Sequence, residues 1–197
     1  VLNGSVYSIL LSGTTLYIGG AFTTCNGASK TYIAAVGTAN PGSNKTWNST
    51  LNSYVYALTT DGTNIYAGGQ FTQVNGSTTR NRLAKFSSNG NLDATWNPDA
   101  NSTVQTLDIS GSNILAGGSF STIGGVSRNY LAKLNTTNGN AVNWATANSY
   151  VYKIYVDGAT CYVGGSFTQL SGTTRNYIGG ITISSGALTS LNPNLNS

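Results

Sequence analysis

Proton-transfer catalysis near neutral pH usually relies on a group that titrates there, and this chain contains no histidine and no glutamate. Five aspartates are its acidic side chains: Asp61, Asp93, Asp99, Asp108 and Asp157. Asp61 and Asp157 stand in Asp-Gly pairs, where a turn role is the ordinary one. Asp108 lies in an apolar stretch and reads as a solvated strand position. Glycoside hydrolysis needs two carboxylates across one bond. Asp93 and Asp99 are near enough in sequence to supply them, but turn and capping duties explain both equally well. No catalytic residue is assigned, and the chain is expected not to be an enzyme. A calcium site needs several hard oxygens, which leaves Asp93 and Asp99 as weak metal candidates, so no metal and no cofactor is expected. Cys25 and Cys161 cannot build a zinc site with no imidazole to help. A Cys25–Cys161 disulfide and a pair of inert buried thiols both remain open.

Composition narrows the partners. Charged residues make up 7% of the 197 residues, against about 25% in an average soluble domain. The net charge of +4 and pI near 9.1 reflect scarce acids rather than a basic field. The densest basic stretch, Arg80, Arg82 and Lys85, is interrupted by neutral residues, which argues against nucleic-acid binding. No apolar run reaches the length of a membrane-spanning helix. Hydrophobic residues at 39% suffice for a core. Glycosylation-type acceptors stand at Asn3, Asn44, Asn48, Asn75, Asn101 and Asn135, and they permit a secreted protein. The chain starts at Val1 without Met, as a processed product or a cut fragment would.

What positions these residues is an internal repeat. "VYSILLSGTTLYIGGAFT" from Val6 recurs as "VYALTTDGTNIYAGGQFT" from Val55, "VQTLDISGSNILAGGSFS" from Val104 and "VYKIYVDGATCYVGGSFT" from Val151. Glycine pairs recur at Gly19–Gly20, Gly68–Gly69, Gly117–Gly118 and Gly164–Gly165, followed by Phe22, Phe71, Phe120 and Phe167. Trp47, Trp96 and Trp144 close the first three units, and Leu191 takes that place in the fourth. The tryptophans read as core between units, with sugar stacking as the alternative. Arg80, Arg128 and Arg175 recur in one loop, with Lys30 in the first unit, and are expected to bind loop carbonyls. No Lys-Ser/Thr motif or helix follows the glycine pairs, so they read as points of close backbone approach rather than a phosphate cradle.

Each unit contains two apolar runs around a Gly-containing turn, a polar loop, a third run such as "RLAKFSS", and a short fourth strand around the Trp. None shows a helical period. Four such units bury their faces by stacking. The expected fold is all-β: a β-propeller of four repeats of about four antiparallel strands, either a closed four-bladed ring or an arc of a larger assembly. It forms a single domain over 1–197 with repeats at 2–50, 51–99, 100–146 and 147–194. Leu195-Asn196-Ser197 matches Leu51-Asn52-Ser53, so the ends fall between units.

The second unit carries Ile65, Tyr66, Gly68, Gly69, Phe71, Thr72, Asn75, Gly76, Arg80, Asn81, Leu83, Ala84, Phe86, Asn89, Gly90, Leu92, Asp93, Asn97 and Pro98. In this pattern the chain resembles the bacterial delta-60 β-propeller repeats across nearly its whole length. It is less closely similar to the propeller repeats of fungal cortical polarity-marker proteins and to kelch repeats. Asp93 has no acidic counterpart in the other units. The resemblance implies an extracellular or cell-surface module without catalytic residues. The expected function is structural: assembly with copies of itself, or within a larger envelope assembly, through the terminal repeats. The alternative is adhesion, with a propeller rim binding a glycan or a surface protein.

Overall fold

The computed structural model describes residues 1–38, 43–193 and 195. Asn196 and Ser197, part of the match that placed the chain end between repeats, lie outside the described residues. Strands and turns account for the regular structure, and no helix occurs among the described residues. The chain divides into two compact units, Val1–Asn97 and Pro98–Ser197, each holding two repeats.

Every repeat is built alike. A first strand (Val6–Ser12, Val55–Thr60, Val104–Ser110, Val151–Asp157) pairs antiparallel with a second (Thr15–Gly20, Asn64–Gly69, Asn113–Gly118, Thr160–Gly165). The second pairs in turn with a third (Ile33–Gly37, Leu83–Ser87, Leu131–Asn135, Ile178–Thr182). In three repeats the connecting turn has two residues, opened by Gly13, Gly111 or Gly158 at positive φ. In the second repeat the loop is longer, and Asp61 holds it with its carboxylate.

Two features differ from the sequence expectation. The polar loop after the Phe is not irregular: it forms a miniature hairpin in every repeat, such as Gln73–Val74 with Thr78–Thr79. The fourth strand is also nearly absent. Among the described residues it exists as Ala141–Val142 in the third repeat and as one bridge elsewhere: Val36 with Asn44, Phe86 with Leu92, Ile181 with Leu188. It therefore precedes the tryptophan instead of surrounding it. The outermost edge of each sheet is short, which limits edge-to-edge pairing.

A bulge recurs near the start of each first strand, between Val6 and Ser8, Val55 and Ala57, Val104 and Thr106, and Val151 and Lys153. The skipped residue is Tyr7, Tyr56, Gln105 or Tyr152. A bulge re-aims its side chain out of the sheet, and Tyr7 and Tyr152 are exposed. The residue before each third strand adopts positive φ: Tyr32, Arg82, Tyr130 and Tyr177.

The core of each unit lies between its two sheets. In the first unit Tyr17, Ile33 and Ala35 of one repeat meet Val55, Leu58, Ile65, Ala67 and Phe86 of the next. In the second, Leu115 and Leu131 meet Val151, Ile154, Cys161, Val163 and Ile181. Alternation along the strands assigns the two sets of side chains to opposite faces.

A bracket not anticipated from sequence anchors each repeat. Asn3, Asn52, Asn101 and Asn148 each accept two backbone N–H bonds, through Oδ1, from the start of that repeat's small hairpin. Each also donates from Nδ2 to a hydroxyl there, at 2.8–2.9 Å. Asn3 and Asn101 are two of the six glycosylation-type acceptors, and their carboxamides are committed to this bracket.

Candidate functional site

The polar residues singled out by type have structural surroundings. Asp61 accepts from the backbone N–H groups of Thr63 and Asn64, the Asn64 amide and the Tyr66 hydroxyl. Burial alone would raise its carboxyl, but these bonds outweigh it and hold the pKa at about 2. Asp93 shows the same balance, also at about 2: burial is overcome by bonds from Thr95, Trp96 and Lys85, the last an ion pair at 3.2 Å. Asp99 is a positive-φ residue of the second unit. Among the described residues no group of three or more carboxylates and thiols gathers to hold a metal ion. Asp108 accepts from Val156 N–H at 2.7 Å, which ties the third repeat to the fourth.

Arg80, Arg128 and Arg175 each reach a backbone carbonyl on the outer segment of their own repeat: Asp93 and Ala94, Val142, and Thr189 respectively. Lys30 reaches Trp47 O. Trp47 packs on Phe86 and over Gly90, and Trp144 lies over Gly186, so both sit between repeats. Cys25 and Cys161 are buried free thiols rather than disulfide partners. Cys25 packs with Ile18, Phe22 and Ala34, and Cys161 within the core of the second unit. Burial pushes the Cys161 thiol up to about 12, which removes its nucleophilic form. Lys133, unmarked in sequence, is buried and donates to Ile183 O in the next repeat at 2.8 Å, with Trp144 beneath it.

The glycine pairs do two different jobs. A Cβ on the second glycine would run into the carbonyl oxygen of Ser5, Tyr54, Thr103 or Tyr150 of its own repeat. That oxygen accepts the N–H of the residue after the pair, so the close approach is part of the sheet. The first glycine of the first and third pairs is a socket for the next repeat. A Cβ on Gly19 would lie 2.6 Å from Val55 Cγ1, and one on Gly117 would lie 2.5 Å from Val151 Cγ1. Val55 and Val151 are the knobs, both fully buried.

The terminal repeats leave one of each uncovered. On the first repeat Val6, the counterpart of Val55, is 43% exposed, with Ile9 at 66% and Leu11 at 62% beside it. On the fourth repeat the Gly164 socket is empty: the nearest atom to an added Cβ is Tyr177 O at 3.9 Å. Lys153, Tyr155, Tyr162, Val163 and Ile178 line this almost wholly apolar depression of about 230 Å³. Its residue Tyr162 is exposed, whereas the counterparts Tyr17, Tyr66 and Leu115 are buried. Two apolar sheet faces of the kind that closes the internal junctions are thus open.

A second feature is aromatic. The bulge brings Tyr7 to 5.4 Å from Tyr56 and 6.1 Å from Tyr54, and Tyr32 stands 5.7 Å from Tyr54 (ring centroids). Tyr130 and Tyr150 repeat the last contact at 5.6 Å in the second unit.

Comparison with known proteins agrees with this architecture. Residues 64–95 and 113–141 match the family model described as a domain of unknown function (DUF5122) beta-propeller. No curated protein matches the sequence. Among solved structures, the computationally designed Ika8 protein is similar at TM-score 0.60 and 13% identity, over 93% of this chain and 48% of that one. The designed Ika4 protein is similar at 0.59 and 12%, over 92% of both chains. The Neurospora crassa Pan2 WD40 domain is similar at 0.61 and 11%, over 94% of this chain and 51% of that one. The chain thus spans about half the length of Ika8 and of the Pan2 domain. The protein has a β-propeller fold, and parts of its second and third repeats match the DUF5122 beta-propeller model.

Proposed function

We propose that the chain is a non-enzymatic structural module of the delta-60 propeller kind, one domain over 1–197, at the cell surface or outside the cell. It self-associates through its terminal repeats. One observation carries this: the faces that pack repeat on repeat inside each unit are open and apolar at Val6, Ile9 and Leu11, and again at Tyr155, Tyr162 and Gly164. Exposed apolar patches of this kind mark association sites. The low charge adds little repulsion between copies. Uncovered terminal faces are what an arc of a larger assembly presents at its ends. Light scattering across a concentration series tests it. The expected mass exceeds the 20.4 kDa of one chain, and a single-chain mass at high concentration overturns the proposal.

The tyrosine cluster favours a second reading, adhesion to a glycan. Tyrosine offers an apolar face for a sugar ring and a hydroxyl for its polar edge. A glycan array with the wild type and a Tyr7→Ala, Tyr54→Ala variant separates the two. Binding lost in the variant supports adhesion; no binding by the wild type rules it out.

A further inference from the structure

The junctions within the two units are made alike. In each, the valine that opens one repeat's first strand enters the space above the first glycine of the preceding repeat's pair, Val55 at Gly19 and Val151 at Gly117. A hydroxyl of the preceding repeat accepts a backbone N–H of the following one beside the knob: Ser8 from Leu58 at 3.0 Å, and Thr106 from Ile154 at 3.1 Å. Around the knob the following repeat presents a second apolar residue, Leu58 or Ile154, and both are buried. The first repeat presents the same pair, Val6 and Ile9, to solvent. The fourth repeat presents the same glycine, and among the described residues no atom lies nearer than 3.9 Å to a Cβ added there.

We infer that the Gly164 socket receives Val6 of a second copy of this chain, which rests on the self-association proposed above. The occupant follows from continuity with the internal junctions: what covers Gly19 and Gly117 is a repeat's opening valine, and Val6 is an opening valine whose own face is uncovered. The contact is heterologous, knob to socket, so one contact leaves one knob and one socket unused. Two copies joined twice leave neither open. They bring together eight repeats, within the range of propeller blade numbers. The junction differs from the internal ones in one respect. Lys153 stands where Ser8 and Thr106 supply an acceptor, and an ammonium accepts no hydrogen bond. Shape and apolar burial therefore carry this junction, and it is weaker than those within the chain.

Cysteine cross-linking tests the register. At Gly19 an added Cβ lies 3.1 Å from Val55 Cβ, close to the separation that a disulfide bridges. Mixing a Val6→Cys protein with a Gly164→Cys protein under mild oxidation is expected to give a disulfide-linked pair. Neither variant alone should do so, because each then faces an unaltered partner residue. The double variant is expected to give one covalent species of twice the chain mass. A ladder of longer species overturns closure by two copies. Gly164→Val supplies the second readout: the site is open within the chain, so the variant keeps its far-ultraviolet circular dichroism while its mass falls to one chain. A wild type that associates while the mixture fails to cross-link and Gly164→Val still associates overturns the Val6–Gly164 contact and leaves self-association standing. A single-chain wild type removes both.

Discussion

At Gly117 an added Cβ would lie 2.5 Å from Val151 Cγ1, whereas at Gly164, the same position one repeat later, no described atom is nearer than 3.9 Å. The residue type, the strand and the place in the sheet are the same. Their neighbours differ: the third repeat has the fourth packed on it, and the fourth has an open face. The second glycines make the control for this contrast. Gly118 and Gly165 both abut a carbonyl of their own repeat, and neither depends on a neighbouring repeat. One glycine of each pair therefore reports on the sheet and the other on the junction.

The largest effect is expected at the control. Gly165→Ala sets a methyl against the Tyr150 carbonyl, with backbone on both sides and little room to yield. A loss of about 3 kcal/mol or more is expected in denaturant unfolding. If Gly165→Ala proved harmless, the openness at Gly164 would reflect a loosely held last repeat and not an empty socket.

Next comes the direct comparison. Gly117→Val overpacks a filled junction and should cost about 1–3 kcal/mol. Gly164→Val, in open space, should change unfolding of the single chain by under about 0.5 kcal/mol. Equal costs at the two positions would erase the distinction between closed and open faces.

A smaller effect is expected at the brackets, which lie within one repeat and ignore junctions. Asn101→Ala and Asn148→Ala each leave two backbone N–H groups without their acceptor, at a cost of about 1–2 kcal/mol. The two values should agree, as read by thermal melts. A much smaller value for Asn148 would again point to a loose last repeat.

Acid gives the smallest and most regional difference. Asp61 and Asp93 are both held at about 2, below the usual carboxylate value of 3.8. A carboxyl depressed on folding adds stability that is complete above the unfolded pKa and is lost as pH falls through the folded one. The stability of the first unit should therefore decline between about pH 4 and pH 2. Asp61 is exposed and Asp93 partly so, and screening keeps the effect modest. Amide exchange in Asn64–Gly69 should accelerate over this window relative to Asn113–Gly118, and Asp61→Asn should flatten the difference.

Much of this molecule was legible in its sequence. The recurrence of the glycine pair and the Phe marked four repeats, and alternation marked the strands and their turns. The arginines bind carbonyls because a loop repeated with the fold has the same orphan acceptors each time. The asparagine bracket was present as a period at Asn3, Asn52, Asn101 and Asn148, but Asn-X-Ser/Thr at two of these positions drew attention to modification instead. The miniature hairpins were missed because two-residue strands carry no periodicity. The tyrosine cluster was missed because a bulge, invisible in alternation, turns Tyr7 and Tyr56 out of their strands.

Residue type alone determined the period, the all-β architecture and the two faces of every sheet, since backbone pleating sends alternate side chains to opposite sides. It could not determine which faces are covered. Val6 and Val55 are the same residue in the same motif, and one is exposed while the other is fully buried. Burial belongs to a residue together with whatever packs against it, and that is decided only when the repeats stack.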